Sequence, residues 1–377
     1  MDAIGNLAFW AGIICELIVS VSGYAFGGYG EPYIIILGMM FFSISILAQM
    51  EFKKKWKLYL VCALVGLGYY ALQSSALILR ILLIILAGWR QDYKPVIRIF
   101  FWGTLAIMLY TGILSVLGLH NSVSLTQNFR HEEETRYCFG FFHPNGFSFF
   151  LFRTMVLGLY SYSSKLKFWA IMLLSAAAMV LFVLAGSKMG IVAAVCVIIA
   201  YVCIRYLKTD KQKQWFWYIG NCLMALEILF IMTAMIRFVP AEGLYHSGEG
   251  IWQVFNEITS GRLFFAHETF TKYPVPLWGY LNFTEATEVG FVNALYNQGL
   301  IFFVIYLIVL FYVFYRMYKK EDIPALVLIL GFTFYAMAEA YLPYFNKNGI
   351  WMLLLGMGIG QNTVIKGIRA DEEKNQD

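Results

Sequence analysis

Charge is what this chain has least of. Asp, Glu, Lys and Arg make up 14% of its 377 residues, while 60% are hydrophobic, and the mean hydropathy is +0.67. A water-soluble domain of this length has no place to hide so much apolar surface, so the composition excludes a soluble enzyme and implies an integral membrane protein. Strand-like alternation is also missing: stretches such as 81–87 and 176–185 are apolar on every face. That excludes a barrel and leaves helices. Six cysteines are present without a CxxC pair, and five lie in apolar runs, so neither a disulfide framework nor a zinc site is indicated. Residues 1–6 contain no basic cluster and 7–25 no clear cleavage site, which makes the first apolar run a retained anchor rather than a signal peptide. There is no HExxH, no GxSxG and no internal repeat.

What is present is a series of apolar runs of roughly 20 residues, the length that crosses a bilayer. Twelve spans are expected: 6–24, 33–50, 58–73, 75–89, 96–118, 146–163, 168–185, 189–206, 215–238, 291–315, 323–341 and 348–365, the third and fourth being tightly spaced. The fold class is therefore an all-α polytopic membrane protein, a single integral membrane domain over 1–377. Six segments on the side of the termini, among them "EFKKKWK", "RYLKTDKQK" and the "KGIR" tail, carry 19 of the 28 Lys and Arg residues. The positive-inside rule makes that side cytoplasmic, with 366–377 a solvated tail. The other side receives two long external loops, 120–145 and 239–290.

Those external segments hold the residues suited to chemistry. In "RHEEETRYCFGFFHPNG" (130–146), Arg136 and His143 stand seven residues apart, and Pro144-Asn145-Gly146 suits the start of a helix. In "AGSKMG" (185–190), Ser187 and Lys188 sit in a turn between two apolar runs. A lysine there either snorkels or faces the outer mouth of the bundle. In "TSGRLFFAHETFTKYPVPLWGYL" (259–281), Arg262 follows a Ser-Gly turn, and "RLFFAHETF" reads as a short helix with Leu263, Ala266 and Phe270 on one face, leaving Arg262 and His267 for a cavity. Neither Arg136 nor Arg262 is expected in a core. Glu285 and Glu288 precede the tenth span, where they either complement a helix dipole or serve as a base. Guanidinium groups match phosphate oxygens bidentately, so the set suits a phosphate-bearing substrate arriving from the membrane.

In this order, "RYCFGFFHPNG", "AGSKMG", "SGRLFFAHETFTKYPVPLWGYL" and "EVGFVNALYNQGLIFFVIY" resemble the signatures of the bacterial O-antigen polymerase and ligase superfamily, and most of all the Wzy-type polymerases of capsule and exopolysaccharide pathways. The resemblance covers 130–315. It implies a GT-C-like, lipid-pyrophosphate-dependent glycosyltransferase with a large external loop between helices 9 and 10. Such an enzyme joins undecaprenyl-pyrophosphate-linked repeat units, donor and acceptor, on the outer face of the bacterial cytoplasmic membrane. No cofactor or nucleotide sugar is implied; other polysaccharide-assembly proteins are candidate partners, and nucleic acid is not. The resemblance places Arg136 and Arg262 on the pyrophosphate, with Lys188 beside Ser187 where the family has arginine. Asn145, His267 and Glu285 complete the substrate contacts.

The resemblance also locates the base. Counting back eleven from Gly299 gives Glu288, where the family has His-Asn or Asp-Asn; Val289 follows instead of Asn. The base is then Glu288 or His143, and the displacement inverts the anomeric centre. No external Asp-x-Asp is present, so a metal is not called for. Two other activities use the same length and hydropathy: a glycan ligase of O-antigen or teichoic-acid type, and a flippase for lipid-linked oligosaccharides. A flippase concentrates charge among its spans, and the case for one here starts from Arg80, Arg153, Glu227 and Glu339.

Overall fold

The computed structural model describes residues 3–28, 30–49, 52–73, 75–89, 91–129, 132–162, 165–242, 247–281, 283 and 288–355, without the side chains of 49, 52–55, 127–129 and 132. It is built of helices: α1 (Ala3–Ala25), α2 (Glu31–Gln49), α3 (Phe52–Gln73), α4 (Leu77–Ala87), α5 (Tyr93–Val116), α6 (Pro144–Tyr162), α7 (Phe168–Leu184), α8 (Lys188–Ile204), α9 (Asp210–Arg237), α10 (Ile251–Ile258), α11 (Arg262–Lys272), α12 (Gly290–Lys319), α13 (Ile323–Tyr335) and α14 (Gly349–Met352). Two strands, β1 (Ser124–Phe129) and β2 (Glu132–Tyr137), interrupt them.

Among the described residues, α1, α2, α5, α9 and α12 are long and apolar enough to cross a membrane. Their outward side chains, such as Leu229 and Ile308 at 61% and 64% exposure, are apolar. A surface of that kind is stable against acyl chains and not against water, so the protein is membrane-embedded. The expected runs all begin as helices, but not all are spans by length. α7 and α8 have 17 residues each, α4 has 11 and α13 has 13. At 1.5 Å per residue α4 and α13 cover roughly 16–20 Å, short of the roughly 30 Å hydrocarbon core. α13 ends at Tyr335, six residues before the expected 341, and the chain then turns without regular structure to α14. The expected last span lies mostly beyond 355, and the 366–377 tail wholly so, outside the described residues.

The all-α expectation also meets an exception in the first external loop, where β1 and β2 form an antiparallel hairpin pairing Ser124 with Tyr137 and Phe129 with Glu132. Side chains two apart share a strand face, which puts Glu134 beside Arg136 and not Glu133.

Connections converge at two ends of the bundle. At one end, the Asp322 carboxylate accepts from Tyr93 and Tyr160 at 2.7 and 2.8 Å, and Lys213 pairs with Glu321 at 3.3 Å. At the other, His120 and Phe142 bond the carbonyls of Ala25 and Tyr24, Arg262 meets Glu339, and the Gly290 amide donates to Ala336. This second end is the site end. α12 is broken near it at Gly299, which has φ +90°. Gly279, also at φ +90°, crosses so closely that a Cβ on Gly299 would strike the Gly279 amide and one on Gly279 the Asn297 carbonyl. Amides freed by the break find partners in the crossing segment, Leu300 donating to the Pro276 carbonyl at 2.9 Å and Ile301 to that of Leu277 at 3.3 Å.

Inside the bundle, Arg80 of α4 forks onto Glu16 of α1 at 2.6 and 2.5 Å, both side chains being buried. Removing one partner strands the other charge in a low dielectric, which costs about 3–5 kcal/mol. Glu16→Ala is expected to lower the thermal unfolding midpoint of the purified protein sharply, and the double variant Glu16→Leu, Arg80→Met to restore most of it; size-exclusion-coupled thermal denaturation reads both.

Candidate functional site

A cavity of about 270 Å³ opens at the site end, lined by Tyr24, His143, Asn145, Gly146, Phe149, Glu288, Glu339, Ala340 and Tyr341. Each wall has a local cause. Pro144 opens α6 with its fixed φ, which turns His143 and Asn145 towards the cavity. Gly146 lets the Tyr24 ring lie against the helix, since a Cβ there would meet its Cδ1 at 2.5 Å. Glu288 comes from the residues just before α12, and Glu339 from the turn just after α13.

Arg262 joins the two carboxylates. Its Nη2 donates to Glu288 at 2.7 Å and to Glu339 at 2.9 Å, and its Nη1 to the Thr259 carbonyl at 3.1 Å. Among the described residues its Nε has no hydrogen-bond partner. Only 5% of Arg262 is exposed. Burial opposes the charge on this guanidinium, while Glu339 and Glu288 together raise its pKa above the ordinary value. The left-handed pair Ser260 (φ 61°) and Gly261 (φ 86°) turns the chain sharply into α11, and buried Asn256 fixes that turn by accepting from the Phe264 amide at 3.0 Å.

Arg136 is equally buried, at 7% exposure, and bonds Glu134 through Nε and Nη2 at 2.9 and 2.7 Å. Its side chain rests on Gly186, where a Cβ would come within 2.9 Å of its Cδ and Nε. The hairpin and the α7–α8 turn are thus in contact. Both arginines were expected outside a core; both lie in one, because each is held by carboxylates that a sequence pattern does not pair.

His143 lies in the field of all these groups. Burial pushes its pKa below the ordinary value, Glu288 pulls it back, and Arg136 and Arg262 push it down again. Its Nδ1 accepts from the Asn145 amide at 3.1 Å, so a neutral ring bonded in this way carries its proton on Nε2. Ser187 caps α8 by accepting from the Gly190 amide at 3.2 Å and lies beside Tyr335.

The remaining expected site residues divide. Lys188 occupies the first turn of α8 and is exposed, outside the cavity lining. His267 does not face the cavity: its ring bonds the Met235 carbonyl of α9 through Nδ1 at 3.0 Å and packs on Phe238. α11 buries Leu263 and Ala266 as its pattern requires, and that packing carries His267 to the α9 side. Glu285 lies outside the described residues. Sequence reasoning gave no site role to Tyr24 or Lys347 and read Glu339 as part of a span. Lys347 lies 4.8 Å from the ring centroids of both Tyr24 and Tyr344. Burial pulls its ammonium down to about 8 against the opposing pull of Glu31. The available signal was the polar run "EAYLPYFNKNG" (339–349) between two apolar segments, too polar for a span interior.

Chemically, the cavity is lined by an imidazole and by two carboxylates that share one guanidinium behind them. Compared with family models, with curated proteins and with solved structures, the chain matches none.

Burial raises the Glu339 carboxyl to about 7 from an ordinary 4.5, with Arg262 opposing and Glu288 adding to the rise. A raised acid binds its proton more tightly in the fold than in the unfolded chain, so its contribution is full below 4.5 and is lost as pH climbs towards 7. His143, lowered, works in the opposite sense, losing its contribution as pH falls through its unfolded value. The thermal midpoint of Glu339→Gln is therefore expected to decline less between pH 5 and pH 7 than that of the unsubstituted protein; parallel curves would show that Glu339 does not titrate there. Arg262→Ala, which leaves two carboxylates uncompensated, is expected to cost stability on the order of 2–4 kcal/mol, measurable in the same assay.

Proposed function

We propose that this protein is a polysaccharide polymerase, a lipid-pyrophosphate-dependent glycosyltransferase of GT-C type. It joins undecaprenyl-pyrophosphate-linked repeat units at the outer face of the bacterial cytoplasmic membrane. The observation that carries the reading is that Glu288 and His143 line one cavity and Arg262 bonds Glu288 from behind that lining, although they come from segments as far apart as 143 and 288. These are three of the residues to which the family resemblance gives a role. The twelve-span topology with both termini cytoplasmic belongs to the same proposal, supported by the skew of Lys and Arg between the two sets of loops.

The reaction is one displacement. The acceptor hydroxyl oxygen bonds to the donor's anomeric carbon, the bond from that carbon to the pyrophosphate oxygen breaks, and the electron pair leaves with the pyrophosphate. The hydroxyl proton passes to Glu288. Its protonation removes one of the two anions held by Arg262 as negative charge appears on the leaving group. The guanidinium, whose buried Nε has no partner among the described residues, is thereby freed to answer that charge. His143 offers Nε2–H to a leaving oxygen, a donor's part rather than the base's, because Nδ1 already accepts from Asn145. Arg136, behind Gly186, adds positive potential and not a direct fork unless Glu134 lets go.

Purified protein supplied with a lipid-pyrophosphate-linked repeat unit is expected to give a ladder of longer glycans without any nucleotide sugar, read on a gel. Glu288→Gln should lower the rate by 10²–10⁴-fold, the usual contribution of a positioned base. A single transfer without a ladder would instead favour a ligase, and movement of the lipid across the bilayer without new glycosidic bonds would favour a flippase.

A further inference from the structure

The segment 247–281 exposes more apolar side chain than a water-facing loop tolerates, and α10 shows why. At about 100° per residue, its eight residues fall into three sectors. Trp252, Phe255 and Asn256 face the protein: Phe255 packs edge-on against Phe230 of α9 with centroids 4.8 Å apart, Trp252 lies against Phe238, and Asn256 is buried. Gln253 and Glu257 face outward and bond each other at 3.0 Å. Ile251, Val254 and Ile258, at i, i+3 and i+7, form a third sector with 66%, 55% and 36% exposure. A helix in a solvent-facing loop needs only two sectors, one for the core and one for water.

Depth supplies the second observation. Phe230 precedes the end of α9 at Arg237 by seven residues, so Phe255 touches α9 roughly 10 Å inside its end. On the same helix Leu226 and Leu229 are exposed to 59% and 61%, part of the belt that faces acyl chains. The apolar sector of α10 continues that belt. Leu277, Trp278 and Leu281, on the segment that crosses the α12 break, are exposed to 53%, 46% and 58% and extend it beside Leu300 of α12.

We propose that α10 is an interfacial helix, seated with Ile251, Val254 and Ile258 among the acyl chains of the bilayer leaflet at the site end and with Gln253 and Glu257 towards the headgroups and water. This seat has a consequence for the site. Three residues separate α10 and Arg262, of which Ser260 and Gly261 are in the left-handed region, and the turn is locked by the Gly261 amide on the Asn256 carbonyl at 2.7 Å. The height of α10 in the leaflet therefore fixes the height of the guanidinium between Glu288 and Glu339. The inference does not depend on the proposed reaction.

The native protein, reconstituted in phosphatidylcholine vesicles containing a lipid with a diazirine in its acyl chain, is irradiated and digested, and adducts are mapped by mass spectrometry. Adducts are expected on Ile251, Val254 or Ile258 as well as on Leu226 or Leu229; adducts on α9 with none on α10 would overturn the proposal. Spin labels at Val254→Cys and Gln253→Cys, on a background without the six native cysteines, give a second reading. The ratio of oxygen to nickel-complex accessibility should be several-fold higher at 254 than at 253, and equal ratios would also overturn it.

Discussion

One guanidinium holds the site end together. Arg262 is supplied by the α10–α11 turn, Glu288 by the approach to α12 and Glu339 by the exit from α13, so three connections far apart in the chain are fixed by one planar group. Both carboxylates meet Nη2 while Nη1 holds the Thr259 carbonyl, so the two arms of the guanidinium tie the carboxylates to the α10–α11 turn. The pairing matters most for Glu339, which without it would face a cavity walled by Phe149, Tyr24 and Tyr341; Glu288 is half exposed. The local backbone is built to deliver this side chain, the turn through Ser260 being held by its amide on the Glu257 carbonyl and by the Gly261 amide on that of Asn256. A site whose charges are already mutually satisfied is also one that a proton transfer can unbalance, and that is the physical basis for linking Glu288 to the release of Arg262.

Irregular backbone buried in a helical bundle is the second constraint. Residues 336–348 pass through the interior without a helix, yet Leu342, Phe345 and Asn346 are buried. Their polar groups are answered from the sides: Asn348 and Trp351 both donate to the Leu342 carbonyl, at 3.0 and 2.7 Å, and Arg153 donates to that of Asn346 at 2.7 Å. Among the described residues Arg153 meets no carboxylate; it also donates to Thr104, and the rings of Phe100 and Phe150 flank it. The break at Gly299 obeys the same rule, its freed amides being taken up by the crossing segment. Non-helical chain at such depth is tolerated where protein, not lipid, surrounds it.

Much of the helical layout was legible in the sequence. The runs at 6–24, 96–118 and 168–185 correspond to α1, α5 and α7 within a few residues, because a long apolar run has one way to satisfy its backbone in lipid. The grouping of loops was legible too: alternation placed 120–145, the Ser187 turn, 239–290 and the Lys347 turn on one side, and contacts unite them. The hairpin was not, since three consecutive glutamates look like a solvated run and only the pairing of Leu125 with Arg136 reveals a strand. Nor was the early end of α13, because "TFYAMAEAYL" (333–342) is apolar enough to continue a helix and is stopped by its bond to α12.

Taken alone, the sequence determined that the chain must live in a bilayer as helices, and which polar segments gather at each end, because hydropathy and alternation are properties of consecutive residues. Only the tertiary structure decided which charges meet. It joined Arg262 to Glu288 and Glu339, gave Arg136 to Glu134, sent His267 to the α9 carbonyls and left Lys188 outside. Partner choice between ionised groups depends on distance and desolvation across segments up to 77 residues apart, and neither quantity is written in the order of the residues.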